Sequence, residues 1–217
     1  MIPSSYDGEG SPGQNSPAET RLPGMHSQPK TADSEGVRGG LLGRWGSAPA
    51  AVLGVDASLV AMGLVAVPVD WGGDWTRVAS RTFGWSLPSG ASDRARIERL
   101  ERLAAAAVAF AAEHDCTIAA IESFPFGKVQ AAHALGEASG VIKVGLHVAG
   151  LNVRTAPIST ARRQLLGHLP RTGAKIAVRD RLVTLGAPFR TLDECDAMCA
   201  GLWALRGLGA FAFQEAS

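Results

Sequence analysis

Cysteine is scarce in this chain. Cys116, Cys195 and Cys199 are its three among 217 residues, with no Cys-x-x-Cys spacing. Neither a disulfide framework nor a zinc cluster is expected to organise the fold, and a reducing cytoplasm is the expected compartment. Long apolar runs are missing too: none reaches the roughly 18 residues of a membrane-spanning helix, and the N-terminus has neither the basic start nor the apolar stretch of a secretory signal. No membrane partner is therefore expected. Net charge is small, +1 with 19% charged residues, so bulk electrostatics do not advertise a nucleic-acid binder. The charge is unevenly placed, however. Residues 151–190 carry eight Lys or Arg against the single acid Asp180, a local balance of +7 that leaves the remainder at −6. A polyanion would be drawn to that segment.

With 46% hydrophobic residues, the chain is long enough for one catalytic domain with a two-sided core. Residues 1–47 are rich in Ser, Pro, Gly and Gln and show no apolar period, so they read as a disordered tail. Its role is open between a regulatory or partner-binding arm and an unselected extension. Residues 48–217 form the expected domain. The run AAVLGVDAS from Ala50 is nearly continuous in apolar residues, as a strand buried on both faces would be. VAMGLVAVPV follows so closely that only an antiparallel hairpin can join the two. A third strand is expected at about Trp75 to Trp85. Residues 93–114 place Ile97, Leu100, Ala104, Ala107 and Ala111 at helical steps, with Asp93 or Ser92 as cap. TIAAIE reads as a short buried strand, residues 128–150 as a long helix and LNVRTAP as a strand, which implies a parallel, right-handed crossover. Helices are expected at 158–166, 174–185 and 193–207. The order defines an α/β domain: a mixed five-stranded sheet, an antiparallel meander followed by parallel strands, flanked by helices.

Four carboxylates stand where local structure would present them. Asp56 lies inside VLGVDAS, Glu122 closes TIAAIE, and Asp193 and Asp196 open the last helix. Singly, each has an ordinary reading as turn former, exposed acid or N-cap. Together they differ, because Asp193 and Asp196 are three apart and share a helix face. If Asp56 and Glu122 occupy neighbouring strands, the clustered charge is untenable without cations. Mg²⁺ and Mn²⁺ favour such hard oxygen ligands, and a pair of them can serve phosphodiester hydrolysis.

GVDASLVAMG resembles the first motif of the RuvC Holliday-junction resolvases, an Asp ending the first strand with a Gly seven positions later. IESFPFGKVQAAHALGEASGVI is similar to their second motif and DECDAMCAGLWA to their terminal D-x-x-D-A helix, in the same order across roughly residues 52–207. The resemblance implies an RNase H-like fold and a crossover junction endodeoxyribonuclease leaving 5′-phosphate and 3′-hydroxyl. Its metal ligands and catalytic acids would be Asp56, Glu122, Asp193 and Asp196, holding Mg²⁺ or Mn²⁺, two per site, with no nucleotide cofactor. It further implies a homodimer acting on branched, four-way DNA in recombination and repair, in a bacterial or phage-infected host cytoplasm. Arg162, Arg163, Arg171 and Lys175 fall where the family grips phosphates. Lys175 is the first choice for a catalytic neighbour, and Lys128 also joins the expected DNA contacts. Of Phe124 and Phe126, one is expected to stack on bases at the junction centre, or both are core; Pro125 between them departs from the family. The small residues Ala131, Ala132, Ala134, Gly136, Ala138 and Gly140 suit close approach, and the family dimerises through the equivalent helix.

His133, His147 and His168 lack metal-ligand spacing. Trp71, Trp75 and Trp85 belong to a stretch assignable only as a strand with decorated loops. No motif for a branch-migration motor is recognisable. Other RNase H-like nucleases (flap, hybrid or general branched-DNA) and a catalytically inactive DNA-binding module remain alternatives, since the same tetrad serves several chemistries. Actin-like phosphotransferases need a second glycine-rich phosphate motif that this sequence lacks.

Overall fold

A computed structural model describes residues 50–123 and 129–210, with the backbone alone at 129–132. The expected tail at 1–47 and the candidates Phe124, Phe126 and Lys128 lie outside the described residues.

Strands β1 (Ala51–Asp56), β2 (Ala61–Pro68) and β3 (Ala79–Gly84) form the antiparallel meander. β4 (Cys116–Glu122) pairs parallel with β1, and β5 (Asn152–Ala156) parallel with β4, giving the order β3-β2-β1-β4-β5. β1 is therefore central, flanked on both sides, which is why its apolar run is continuous rather than alternating. Helices α1 (Asp93–Glu113) and α2 (Val129–Val148) cover one face of the sheet. On the other lie α3 (Ile158–Leu166), α4 (Ala174–Thr184) and α5 (Leu192–Gly207). This is the mixed five-stranded α/β architecture expected, an RNase H-like fold. No described helix is long and apolar enough to cross a membrane.

Two sequence expectations need correction. The third strand begins at Ala79 rather than near Trp75, because Asp74 accepts hydrogen bonds from the Thr76 amide and hydroxyl and starts a 3-10 turn at Trp75–Arg77. Trp71 and Trp75 meet edge to face, and Trp75 packs on Phe189. The buried stripe of α1 is Leu103, Ala104, Ala107, Phe110 and Ala111, whereas Ile97 is 56% exposed. The reason is length. At 21 residues α1 spans about 31 Å, while strands of 6 to 8 residues span roughly 20–27 Å. Because α1 ends just before β4 begins, the excess overhangs the end of the sheet where β4 finishes at Glu122. Ser92 caps the helix there, accepting from the Ala95 amide.

In α2, Ala138, Ile142 and Leu146 are buried, and Gly145 meets Ala104 of α1, where an added Cβ would lie 3.2 Å from the Ala104 Cβ. A Cβ at Gly136 or Gly140 would meet nothing within 4 Å among the described residues. All three cysteines are free and buried. Burial pushes the thiol pKa of Cys116 up to about 12 and that of Cys195 up to about 11, so neither is a ready thiolate.

Candidate metal centre

β1 and β4 are parallel neighbours, so Asp56 and Glu122, each the last residue of its strand, come out at the same end of the sheet. Helix α5 crosses β1 and β2 and adds Asp196 from its second turn. Oxygens of Asp56, Glu122 and Asp196 all lie within 4.8 Å of one another, and all three residues are buried. Asp193 stands apart from this triad. Its side chain is 27% exposed and reaches the cluster only through Lys175, whose Nζ lies 3.9 Å from Asp193 Oδ1.

Glycine makes the helix-to-sheet approach possible. A side chain on Gly54, two residues before Asp56, would overlap the Ala197 carbonyl oxygen and stand 2.8 Å from the Gly201 amide. On Gly63, which pairs with Asp56 across the hairpin, it would overlap the Asp193 carbonyl. The backbone of α5 thus rests on the backbone of β1 and β2, and the carboxylates on the helix reach those on the strands. In the sequence Gly54 and Gly63 stand out only as the two ends of GVDASLVAMG; no periodicity reveals a backbone-to-backbone contact.

The start of α5 is fixed by Thr191, not by Asp193. The Thr191 hydroxyl accepts from the Glu194 amide, and the Glu194 carboxylate accepts from the Thr191 and Arg190 amides. Thr82 of β3 donates to the same carboxylate. Glu194 is therefore buried but satisfied, and Asp193 is released from capping. Thr191-x-x-Glu194 is a capping-box spelling, so this signal was present in the sequence.

Two basic residues offset the acids. Arg162 of α3 donates from Nε and from a terminal nitrogen to the two oxygens of Asp196, both at 2.8 Å. Its side chain is 13% exposed against 1% for Asp196. Lys175 of α4 places Nζ 2.8 Å from Asp196 Oδ2 and 3.6 Å from Asp56 Oδ2. Burial opposes charge on both cations, but the hydrogen bonds and field of Asp196, with Glu122 adding at both and Asp56 at Lys175, leave each pKa raised. Arg163 and Arg171 are exposed, and no described acid pairs with them. The structure therefore separates the expected phosphate contacts: Arg162 is engaged inward, Lys175 stands at the mouth, and Arg163 and Arg171 face solvent.

The acids remain under-neutralised. Burial, then the Glu122 charge, pushes the Asp56 carboxyl up to about 9 despite the Lys175 ammonium. Burial raises Glu122 as well, against a proton shared with Asp56. Oδ2 of Asp56 and Oε2 of Glu122 are buried without a hydrogen-bond partner among the described residues. Orphaned hard oxygens converging with Asp196 are a donor set that fits Mg²⁺ or Mn²⁺ and that the described protein donors do not satisfy.

Fold and site together define an RNase H-like domain with a buried acidic cluster able to take a metal ion. No protein-family model matches the chain. No curated protein matches it either. Among solved structures, the chain is similar to Thermus thermophilus RuvC in complex with Holliday junction substrate. The TM-score is 0.55 at 20% identity, covering 73% of this chain and 95% of that one. It is also similar to a Thermus thermophilus RuvC structure, with TM-score 0.54 at 23% identity and coverage of 74% and 97%. At these identities the likeness is one of fold.

Proposed function

We propose that this chain is a metal-dependent, structure-selective DNA endonuclease that resolves four-way junctions. One observation carries the reading: the buried meeting of Asp56, Glu122 and Asp196 at the end of a RuvC-like sheet. These three residues, with Asp193 at the mouth, would hold Mg²⁺ or Mn²⁺, two ions per site. When bound, such ions supply the charge and water activation that phosphodiester hydrolysis to 5′-phosphate and 3′-hydroxyl requires.

The chain's own residues do the rest. Arg162 fixes the rotamer of Asp196 by its two-point grip, so a ligand oxygen is presented without reorganisation. Lys175, its side chain 44% exposed, is free to turn from carboxylate to phosphate and to offset charge that develops at the scissile group. Arg163 and Arg171 hold the flanking backbone. The enzyme acts as a homodimer through α2, a reading favoured by Val144 and Val148, which are 62% and 76% exposed. Val144 lies beside Asn152, Val153 and Thr155 of β5, the sheet's outer strand. Residues 1–47 would be a tail on a nuclease domain at 48–217.

The deciding experiment is cleavage of labelled four-way junction, flap, duplex and RNA–DNA hybrid, with and without divalent metal. Metal-dependent cutting of the junction is expected. Asp56→Asn and Glu122→Gln should abolish it while junction binding persists. Preference for the hybrid would replace the resolvase reading with another RNase H-like nuclease, and retained cleavage in either variant would refute the assigned ligands.

A further inference from the structure

Of the three tryptophans between residues 71 and 85, two are folded inward. Trp71 is buried and Trp75 packs against it and Phe189. Trp85 is 40% exposed. A tryptophan in the core removes some 150–250 Å² from water, so one left out at a chosen place asks for a ligand.

Its place is the rim of the metal site. Trp85 follows the last residue of β3, and its amide donates to the Val60 carbonyl at 3.0 Å. Val60, 60% exposed, lies in the loop that leaves Asp56. Along β3 the side chains alternate: Thr82 contacts Thr191 and Glu194 at the start of α5, Phe83 packs with the α1 side, and Trp85 continues on that side. There α1 meets it, just before its buried stripe begins at Leu103. The guanidinium of Arg102 lies over the indole, 4.1 Å from the ring centroid, and Arg102 makes no ion pair among the described residues. By contrast, Arg94 and Arg96 of the same helix are tied to Glu98 and Asp93.

An indole backed on one face by a cation suits single-stranded nucleic acid: the face opposite Arg102 takes a base of any identity, and the guanidinium keeps donors for a phosphate. We propose that Trp85 with Arg102 is a stacking platform for an unpaired base of the strand leading into the metal site. The proposal rests on the nuclease reading above and deepens it. Two strand spacings and three residues separate Trp85 from Asp56 in the sheet, on the order of 14 Å, or about four stacked nucleotides. The strand would pass over the end of the sheet from the α1 side to the α5 side. The platform would hold DNA open at a branch while the scissile phosphate settles among Asp56, Glu122 and Asp196.

The test uses the full chain with Ca²⁺ in place of Mg²⁺. Probes are a fluorescein-labelled 30-nucleotide single strand, a four-way junction and a blunt duplex. Trp85→Ala should weaken binding of the single strand and the junction by roughly tenfold or more, with duplex affinity changed less than about twofold. Trp85→Phe, which keeps a ring, should bind as wild type, and Arg102→Ala should lower the salt dependence by about one phosphate contact. Trp85→Leu keeps apolar bulk without the ring and should match Trp85→Ala, which secures the test if the alanine variant folds poorly. If Trp85→Leu binds all three probes like wild type, the platform is refuted and the nuclease reading stands. Equal weakening on all three probes also refutes base stacking. Wild-type protein that binds none of them overturns both readings.

Discussion

Gly54→Ala is a change of one methyl group that should disable the site without touching a carboxylate. The new Cβ would stand 2.8 Å from the Gly201 amide and closer still to the Ala197 carbonyl. Comfortable contacts begin at about 3.5 Å, and the Ala197 carbonyl oxygen would stand only 1.9 Å from the new Cβ, so α5 must retreat by something on the order of 1.5 Å. Overpacking of this kind costs about 1–3 kcal/mol, against which loss of glycine's unfolded-state freedom returns at most about 1 kcal/mol. For a domain of this size, a net loss of one to two kcal/mol lowers Tm by roughly 2–8 °C. The functional effect should be larger, because Asp196 rides on α5 while Asp56 stays on β1. A displacement of 1 Å already costs about a hundredfold in rate where geometry decides the chemistry. Calorimetry gives Tm, Mn²⁺ titration followed by electron paramagnetic resonance gives metal affinity, and junction cleavage gives rate. Gly140→Ala is the control. It is the same change in a helix where a Cβ meets nothing within 4 Å among the described residues, so it should raise stability by about 0.8–1 kcal/mol. Unaltered Tm and unaltered Mn²⁺ affinity in Gly54→Ala would refute the view that backbone contact sets the ligand geometry.

Arg162→Ala should destabilise the metal-free protein by about 3 kcal/mol, the usual consequence of leaving a buried carboxylate without its bidentate partner. Thermal melting checks this, and the loss should shrink when Mn²⁺ is added. The pH dependence of stability has a definite sign. Because the folded protein holds Asp56 at a pKa raised from 3.8 to about 9, it keeps a proton that the unfolded chain releases. Without metal, stability should therefore decline as pH climbs from the ordinary carboxylate range through about 9. Mn²⁺ or Mg²⁺ should restore it most at the upper end of that range. Melting temperatures across pH with and without metal decide the point, and a metal-free Tm that rises over this interval would contradict the burial argument.

Much of this protein was written in local patterns. The continuous apolar run at residues 51–57 marked the central strand, the short link to residue 61 required a hairpin, and Thr191-x-x-Glu194 spelled the start of α5. The three-residue spacing of Asp193 and Asp196 marked a shared helix face, yet only the fold decided how differently the two would lie. One is buried on Arg162; the other is left at the mouth beyond Lys175. Likewise, the apolar pattern of α1 could not show that its first turns overrun the sheet, since that depends on the lengths of strands elsewhere.

Element type and order follow from residue periodicity and turn chemistry, which act over a few neighbours, and these the amino-acid sequence determined by itself. The meeting of Asp56, Glu122 and Asp196, the inward turn of Arg162 and the outward turn of Trp85 were decided only by tertiary structure. Each depends on how closely α5 and α1 lie on the sheet. That closeness is set by glycines and by relative lengths of elements far apart in the chain, which no local pattern records.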